Sequence, residues 1–197
     1  MESFSEIFLA VAAYGVLHSI LASPWMKALA EQRLGLFAKR FYRLFFNLVA
    51  GLTLIPVFWL AWHSPDYPLY IIPAPLVFLT LLVQAGAAGC ALAALLQTGM
   101  ADFIGLEQLF RDEKVVKPTA LTVTGFYHWV RHPVYTFGLF YIWLTPMMTT
   151  NLLALYLAAT VYILVGIYFE ERKLLDDFGQ DYAEYRSRTP MLLPPYF

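Results

Sequence analysis

A chain of 197 residues that is 60% hydrophobic and only 14% charged carries too few charges for an ordinary soluble domain, which is nearer a quarter charged. Its net charge of −1 provides no basic face for a nucleic acid. Cys90 is the single cysteine and stands inside an apolar stretch, which excludes a disulfide framework or a cysteine metal site.

Five apolar stretches approach the ~20 residues a helix needs to cross a bilayer: Ile7 to Ala22, Leu44 to Trp62, Leu69 to Gln97, Val134 to Thr149 and Leu152 to Phe169. Glu2 and Glu6 precede the first, so it lacks the positive flank of a cleavable signal and is expected to be retained. His18 and Ser19 are a polar insertion in that span, explained by a helix-to-helix hydrogen bond or by function. Trp25 and Trp129 lie just beyond the first span and just before the fourth, where an amphipathic ring favours the headgroup region. The third stretch contains Pro73 and Pro75 near its start, so it is expected to begin at the interface or to tilt. Further along, Ala85, Gly89 and Ala93, each four apart, allow close helix packing within one subunit or at a dimer seam. Thr150 and Asn151 alone separate the last two stretches, which predicts an antiparallel hairpin.

Every Lys and Arg falls in three connecting segments: Lys27, Arg33, Lys39, Arg40 and Arg43; then Arg111, Lys114, Lys117 and Arg131; then Arg172, Lys173, Arg186 and Arg188. Cytoplasmic loops carry the positive excess. The expectation is therefore an all-α polytopic membrane protein with five transmembrane helices, N-terminus outside and C-terminus cytoplasmic, built as one domain over 1–197. Soluble chemistry is expected on the cytoplasmic side.

Two charged clusters flank the last two stretches. Pro133 suits the first turn of a helix, which puts Arg131 and His132 at its mouth, where free N–H groups and the dipole favour an anion such as a ligand carboxylate. Gly138 shares a helix face with Tyr135 and costs about 1 kcal/mol against Ala, which makes sense if something approaches the backbone there. Glu170 and Glu171 follow the fifth stretch at the unfavourable end of a helix dipole. Either Arg172 and Lys173 neutralise them or a bound ammonium or sulfonium does. If the hairpin forms, the two mouths meet and match a zwitterionic amino-acid headgroup.

Arg-His-Pro-x-Tyr-x-x-Gly at 131–138, followed by Glu-Glu-x-x-Leu-x-x-x-Phe-Gly-x-x-Tyr-x-x-Tyr at 170–185 and by Pro190 and Pro194, resembles the isoprenylcysteine carboxyl methyltransferase and phospholipid methyltransferase superfamily. His18-Ser19, Tyr42-Arg43, Asn47, Phe103 to Gln108 and Thr145 to Thr149 look like its nurim and methanethiol S-methyltransferase branch. The resemblance implies a membrane enzyme of the bacterial inner-membrane type that uses S-adenosylmethionine, bound by about 98–197. It implies Tyr127, His132, Pro133, Tyr135, Gly138, Glu170, Glu171 and Tyr182 as cofactor-site residues. It also implies Arg131, His132 and Glu171 as the catalytic set, with Arg131 orienting an acceptor. The implied partner is a thiol or lipophilic small molecule, such as a prenyl-cysteine carboxylate or a lipid, with the protein as a monomer or homodimer. The competing expectation is a non-catalytic, nurim-like structural protein. A haem protein is disfavoured, because His18, His63, His128 and His132 place no plain pair on facing helices.

Overall fold

The computed structural model describes residues 2–100, 104–106, 109 and 120–193. Phe103, Glu107, Gln108, Arg111, Lys114, Lys117 and Pro194 lie outside them. The chain is mainly helical and forms two compact units. One takes in the described residues of Met1–Tyr67, Gly99–Pro118 and Thr150–Ala158, the other those of Pro68–Thr98, Thr119–Thr149 and Ala159–Phe197.

In the first unit, α1 (Glu2–Ala22) leads into the short α2 (Pro24–Leu34) and then the long α3 (Leu36–His63). Ser23 separates α1 from α2 because its hydroxyl accepts from Met26 N at 3.2 Å, and Pro24 fills the first helical position. Gly35, at φ 57°, makes the second break. Tyr42 ties α3 back to α1 by donating to the Leu21 carbonyl at 2.6 Å. Val11, Val57 and Ala158 form the core, with Phe8, Tyr14, Leu54 and Leu155 packed on it. His18 lies among Tyr14 and Phe46, with ring centroids 5.7 and 4.8 Å away. Asn47 donates to the Ile104 carbonyl at 2.8 Å. At the far end of the unit, one oxygen of Asp66 accepts from Tyr67 N, Thr150 Oγ1 and Asn151 N, each at 2.9 Å. It thereby caps the first turn of α7 (Thr150–Phe178).

The second unit begins with β1 (Pro68–Ile71), which pairs antiparallel with β2 (Met147–Thr149). The third apolar stretch is therefore not helical from Leu69. Pro73 and Pro75 lack N–H groups and disfavour helix in the residues before them, so α4 runs only from Leu76 to Gln97. The fourth stretch likewise departs from the expected helix through Thr149. The helix α6 (Pro133–Trp143) has 11 residues, because Pro146 pushes Thr145 away from helical backbone and the chain continues extended into β2. The break before α7 thus lies at 144–149, and Thr150 and Asn151 are already its first turn.

Residues 126–149, which begin with the one-turn α5 (Phe126–Trp129), run the length of 68–97 in reverse. Phe126 N meets Gln97 Oε1 at 3.3 Å, Gln84 Nε2 donates to the Tyr141 carbonyl at 2.7 Å, Ile72 N donates to Pro146 at 2.8 Å, and Tyr70 opposes Met148. The small buried residues of α4 are Ala87 and Ala94, whereas Ala85 and Gly89 are exposed. Trp143 Nε1 donates to Thr160 Oγ1 at 2.9 Å and ties α6 to α7. Gly179, at φ 54°, turns the chain into α8 (Gln180–Arg188).

Among the described residues four helices are long and apolar enough to span a membrane: α1, α3, α4 and α7. They expose large apolar residues such as Leu48, Leu52, Phe78, Leu82 and Phe169, as lipid contact requires. At 11 residues, about 16 Å of helix, α6 is too short to cross by itself.

Candidate active site

Two chain segments that the sequence places 39 and 40 residues apart come together in the second unit. Pro133 opens α6 as its first residue, so His132 becomes the N-cap and Arg131 the residue before it. From the other side, α7 continues without a break past Phe169 to Phe178 and presents Glu170 and Glu171 within its last three turns. The Arg131 guanidinium grips Glu171 Oε1 through Nε at 2.7 Å and Nη2 at 2.6 Å. His132 Nε2 reaches the same oxygen at 3.3 Å, while its Nδ1 faces Glu170 Oε2 at 3.8 Å. Arg186 Nε lies 3.4 Å from the other Glu171 oxygen. The Arg131 and Glu171 side chains are each only 9% exposed, so the charge pair is shielded from water.

The backbone just before the helix is already bonded within the chain. The N–H groups of Arg131 and His132 donate to the carbonyls of Pro190 and Met191 at 2.9 and 3.2 Å, and Thr136 Oγ1 donates to Leu192 at 2.8 Å. The third nitrogen of Arg131, Nη1, donates to the carbonyls of Arg186 and Thr189 at 3.1 and 2.6 Å. These are the carbonyls that the end of α8 leaves without helical partners, and a cation suits that end of the dipole. A strap of C-terminal chain is thus sewn along residues 131–136. The local neutralisation expected from Arg172 and Lys173 is not what Glu171 uses. Arg172 instead lies over the Tyr168 ring, 5.7 Å from its centroid.

Tyrosines surround the carboxylates. Tyr135 hydrogen-bonds Glu170 and its ring lies 5.7 Å from that of His132. Tyr127 bonds Thr98; burial raises its hydroxyl above the usual phenol range, and the Glu170 charge adds to the rise. Its carbonyl accepts from Tyr185 at 2.5 Å. Tyr182 is 1% exposed, and its buried hydroxyl has no hydrogen-bond partner among the described residues. Burial first, and then the Glu171 charge, pushes it up to about 12. Tyr185 is also raised to about 12, by burial and by Tyr182 beside it. Both phenols therefore stay protonated near neutral pH. In front of Gly138 the space is open: an added Cβ would meet no protein atom within 4 Å.

The structure therefore gathers Arg131, His132, Glu170, Glu171, Tyr127, Tyr135 and Tyr182, with Pro133 buried beneath His132. His128 is exposed, while His18 and His63 belong to the first unit. Sequence reasoning missed Arg186, the carbonyls of 186–192, and the Gln97–Thr98 end of α4. Only Pro190 among them carried a visible signal.

The four membrane-long helices mark an integral-membrane protein, and its relatives place it in the methyltransferase class. The family profile described as Phospholipid methyltransferase matches residues 81–181. The chain belongs to the phospholipid methyltransferase family. It is 31% identical to a methanethiol S-methyltransferase of Crocosphaera subtropica, over 92% of this chain and 71% of that one. To methanethiol S-methyltransferase 2 of Bradyrhizobium diazoefficiens it is 32% identical, over 100% and 75%. Against a methanethiol S-methyltransferase of Mycobacterium tuberculosis the identity is 35%, over 75% and 61%. No solved structure matches the chain.

Proposed function

We propose that this methyltransferase moves a methyl group from S-adenosylmethionine to a small thiol, with 98–197 carrying the cofactor site. The observation that supports this best is the charged cluster where α6 and α7 meet, with carboxylate, imidazole and phenol groups around it. The names of the relatives favour a thiol over a lipid or carboxylate acceptor. So does Arg131, whose nitrogens are committed to Glu171 and to two carbonyls and which is poorly placed to pair with an acceptor carboxylate.

The residues fit the donor. Tyr182 holds a buried O–H without a protein partner, and the space before Gly138 is open. Tyr127, His132, Pro133, Tyr135, Gly138, Glu170, Glu171 and Tyr182 are the residues proposed to hold it. When bound, S-adenosylmethionine supplies an electrophilic methyl group on a sulfonium sulfur. The chain's own residues align the acceptor, keep water out and take the proton a thiol must lose. Glu170, whose side chain is 44% exposed, and His132 beside it are the acceptors for that proton.

For topology we infer five crossings, the fourth made jointly by α6 and the extended 144–149 segment, since together they run the full length of 68–97. The basic clusters favour an outside N-terminus and a cytoplasmic site. Reporter fusions after residue 64 and at the C-terminus should read outside and inside respectively; the opposite pattern would refute the orientation. For the reaction, detergent-purified protein supplied with labelled S-adenosylmethionine and a short alkanethiol should release a volatile labelled thioether. Transfer only into lipid or protein fractions would overturn the thiol assignment.

A further inference from the structure

The surplus of positive charge in this chain lies in one place. Residues 23–43 hold five cations, Lys27, Arg33, Lys39, Arg40 and Arg43, against the single carboxylate of Glu31, whereas 98–133 set four cations against four carboxylates and 170–197 set four against six. In those other two segments the described cations are largely spent on the protein: Arg131 and Arg186 on Glu171, Arg188 on Glu184, and Arg172 on the Tyr168 ring. In 23–43, Lys27 reaches Glu31 only at 3.9 Å, and Arg33, Lys39 and Arg40 are exposed and make no ion pair among the described residues. They frame the corner where α2 turns at Gly35 into α3. With its 28 residues α3 is about 42 Å long, so it exceeds a hydrocarbon core of about 30 Å by about two turns. That excess is the length of 36–43, ahead of the apolar stretch that starts at Leu44, and it puts the corner at headgroup level. The surface there is not simply basic. Trp25, Leu34, Leu36 and Phe37 are each more than half exposed, and Phe37 stacks on Phe41 with ring centroids 4.6 Å apart. Phe37, Phe41, Phe45, Leu48 and Leu52, spaced three or four apart, then continue one exposed apolar face down α3.

We infer that the α2–α3 corner is a binding surface for anionic phospholipid, with Arg33, Lys39 and Arg40 at the headgroup phosphate and the face from Phe37 to Leu52 along an acyl chain. The lipid is a bound partner and not a methyl acceptor, so the inference stands apart from the donor reading given above. Cations beside a membrane are drawn to anionic headgroups, each strengthening the attraction about fivefold. Charge alone would suit any polyanion. The apolar half of the surface decides for a lipid, because a phosphate joined to a hydrocarbon chain matches cations at headgroup level that lead directly into an exposed apolar helix face. The long Lys and Arg stems lie along apolar surface while their charged ends reach the phosphate. A soluble phosphate or a nucleic acid would use the charges and leave Trp25 and Phe37 uncovered.

The test titrates the purified full chain, in a nonionic detergent at low salt, with phosphatidylglycerol, with phosphatidylcholine of the same chain lengths, or with inorganic phosphate. Neither lipid carries a nitrogen that can accept a methyl group. Native mass spectrometry reads the lipid retained, and thermal unfolding reads the stabilisation it brings. The unmodified protein is expected to bind phosphatidylglycerol about tenfold or more tightly than phosphatidylcholine, with the preference shrinking as salt is raised. Replacing Arg33, Lys39 and Arg40 together by Gln should abolish the preference and leave the lipid-free unfolding temperature in place, and Lys39→Gln with Arg40→Gln should remove part of it. Replacing Arg172, Lys173 and Arg188 by Gln, an equal loss of charge elsewhere, should leave the preference intact. The inference is overturned if phosphatidylglycerol is not preferred, if the first triple variant keeps the preference, or if the second loses as much. Stabilisation by inorganic phosphate equal to that by the lipid would overturn it in favour of a free anion. A lower lipid-free unfolding temperature in the first triple variant would assign these cations to the fold and overturn it as well.

Discussion

Replacing Arg131 with Ala removes more than a charge. The Glu171 carboxylate, 9% exposed, would keep only His132 at 3.3 Å and Arg186 at 3.4 Å, and the carbonyls of Arg186 and Thr189 would lose their donor. Removing one partner of a buried ion pair costs about 3–5 kcal/mol. Arg186 is half-exposed and can swing further onto Glu171, so the expected loss is at the low end, about 3 kcal/mol, or roughly 6–12 °C in unfolding temperature for a chain of this size. Arg131→Lys should recover only part of it, because an ammonium has no planar fork with which to hold Glu171 and the strap together. The assay is thermal unfolding of the detergent-purified protein for Arg131→Ala, Glu171→Gln and the double variant. Contact between the two side chains predicts a coupling of at least about 1 kcal/mol. Additivity to within about 0.5 kcal/mol, or an unchanged unfolding temperature in Arg131→Ala, would refute the reasoning.

Other outcomes follow from single positions. Gly138→Ala meets no protein atom within 4 Å and should stabilise α6 by up to about 1 kcal/mol; a parallel loss of affinity for S-adenosylmethionine by calorimetry would show that a ligand occupies the space, and unchanged affinity would show that it does not. Gly105→Ala is expected to destabilise by about 1–3 kcal/mol in thermal unfolding, since φ is +95° and the new Cβ would lie 2.9 Å from Leu44 N. Tyr182→Phe should leave stability at neutral pH unchanged or slightly higher, because a buried hydroxyl without a partner is removed. Its effect at high pH has a definite sign: the folded phenol titrates near 12 against about 10 when unfolded. Between those values the folded state binds more protons, and stability falls as pH rises. Unfolding curves collected from pH 9 to 12 should therefore decline less steeply in Tyr182→Phe than in the unmodified protein, and parallel curves would count against the burial of this group.

Much of the architecture is local information, which is why the chain itself reveals it. Long runs of apolar residues fix α1, α3, α4 and most of α7, since a helix that satisfies its own backbone is the cheapest way to keep such residues in lipid. Pro133 announces the start of α6 because its ring and missing N–H suit that one position. The joining of Arg131 and His132 with the paired glutamates was also legible, from complementary charges at the facing ends of two apolar stretches. Pro73 and Pro75 already signalled an interfacial start or a tilt for the third stretch, whereas the reading of Val134–Thr149 as one helix went astray at Pro146, where a count of apolar residues outweighed the backbone restriction that proline imposes.

Partner choice inside the site belongs to the tertiary structure alone. Nothing in a Glu-Glu pair says which member is buried; that depends on how α7 is rotated against α6, set by contacts such as Trp143 with Thr160. Nor does the motif at 131–138 reveal that the N–H groups of Arg131 and His132 and the Arg131 guanidinium are taken by carbonyls 55 to 59 residues further along. Carbonyls are present at every residue and carry no sequence signature, so only the path of the folded chain decides which of them a buried arginine meets.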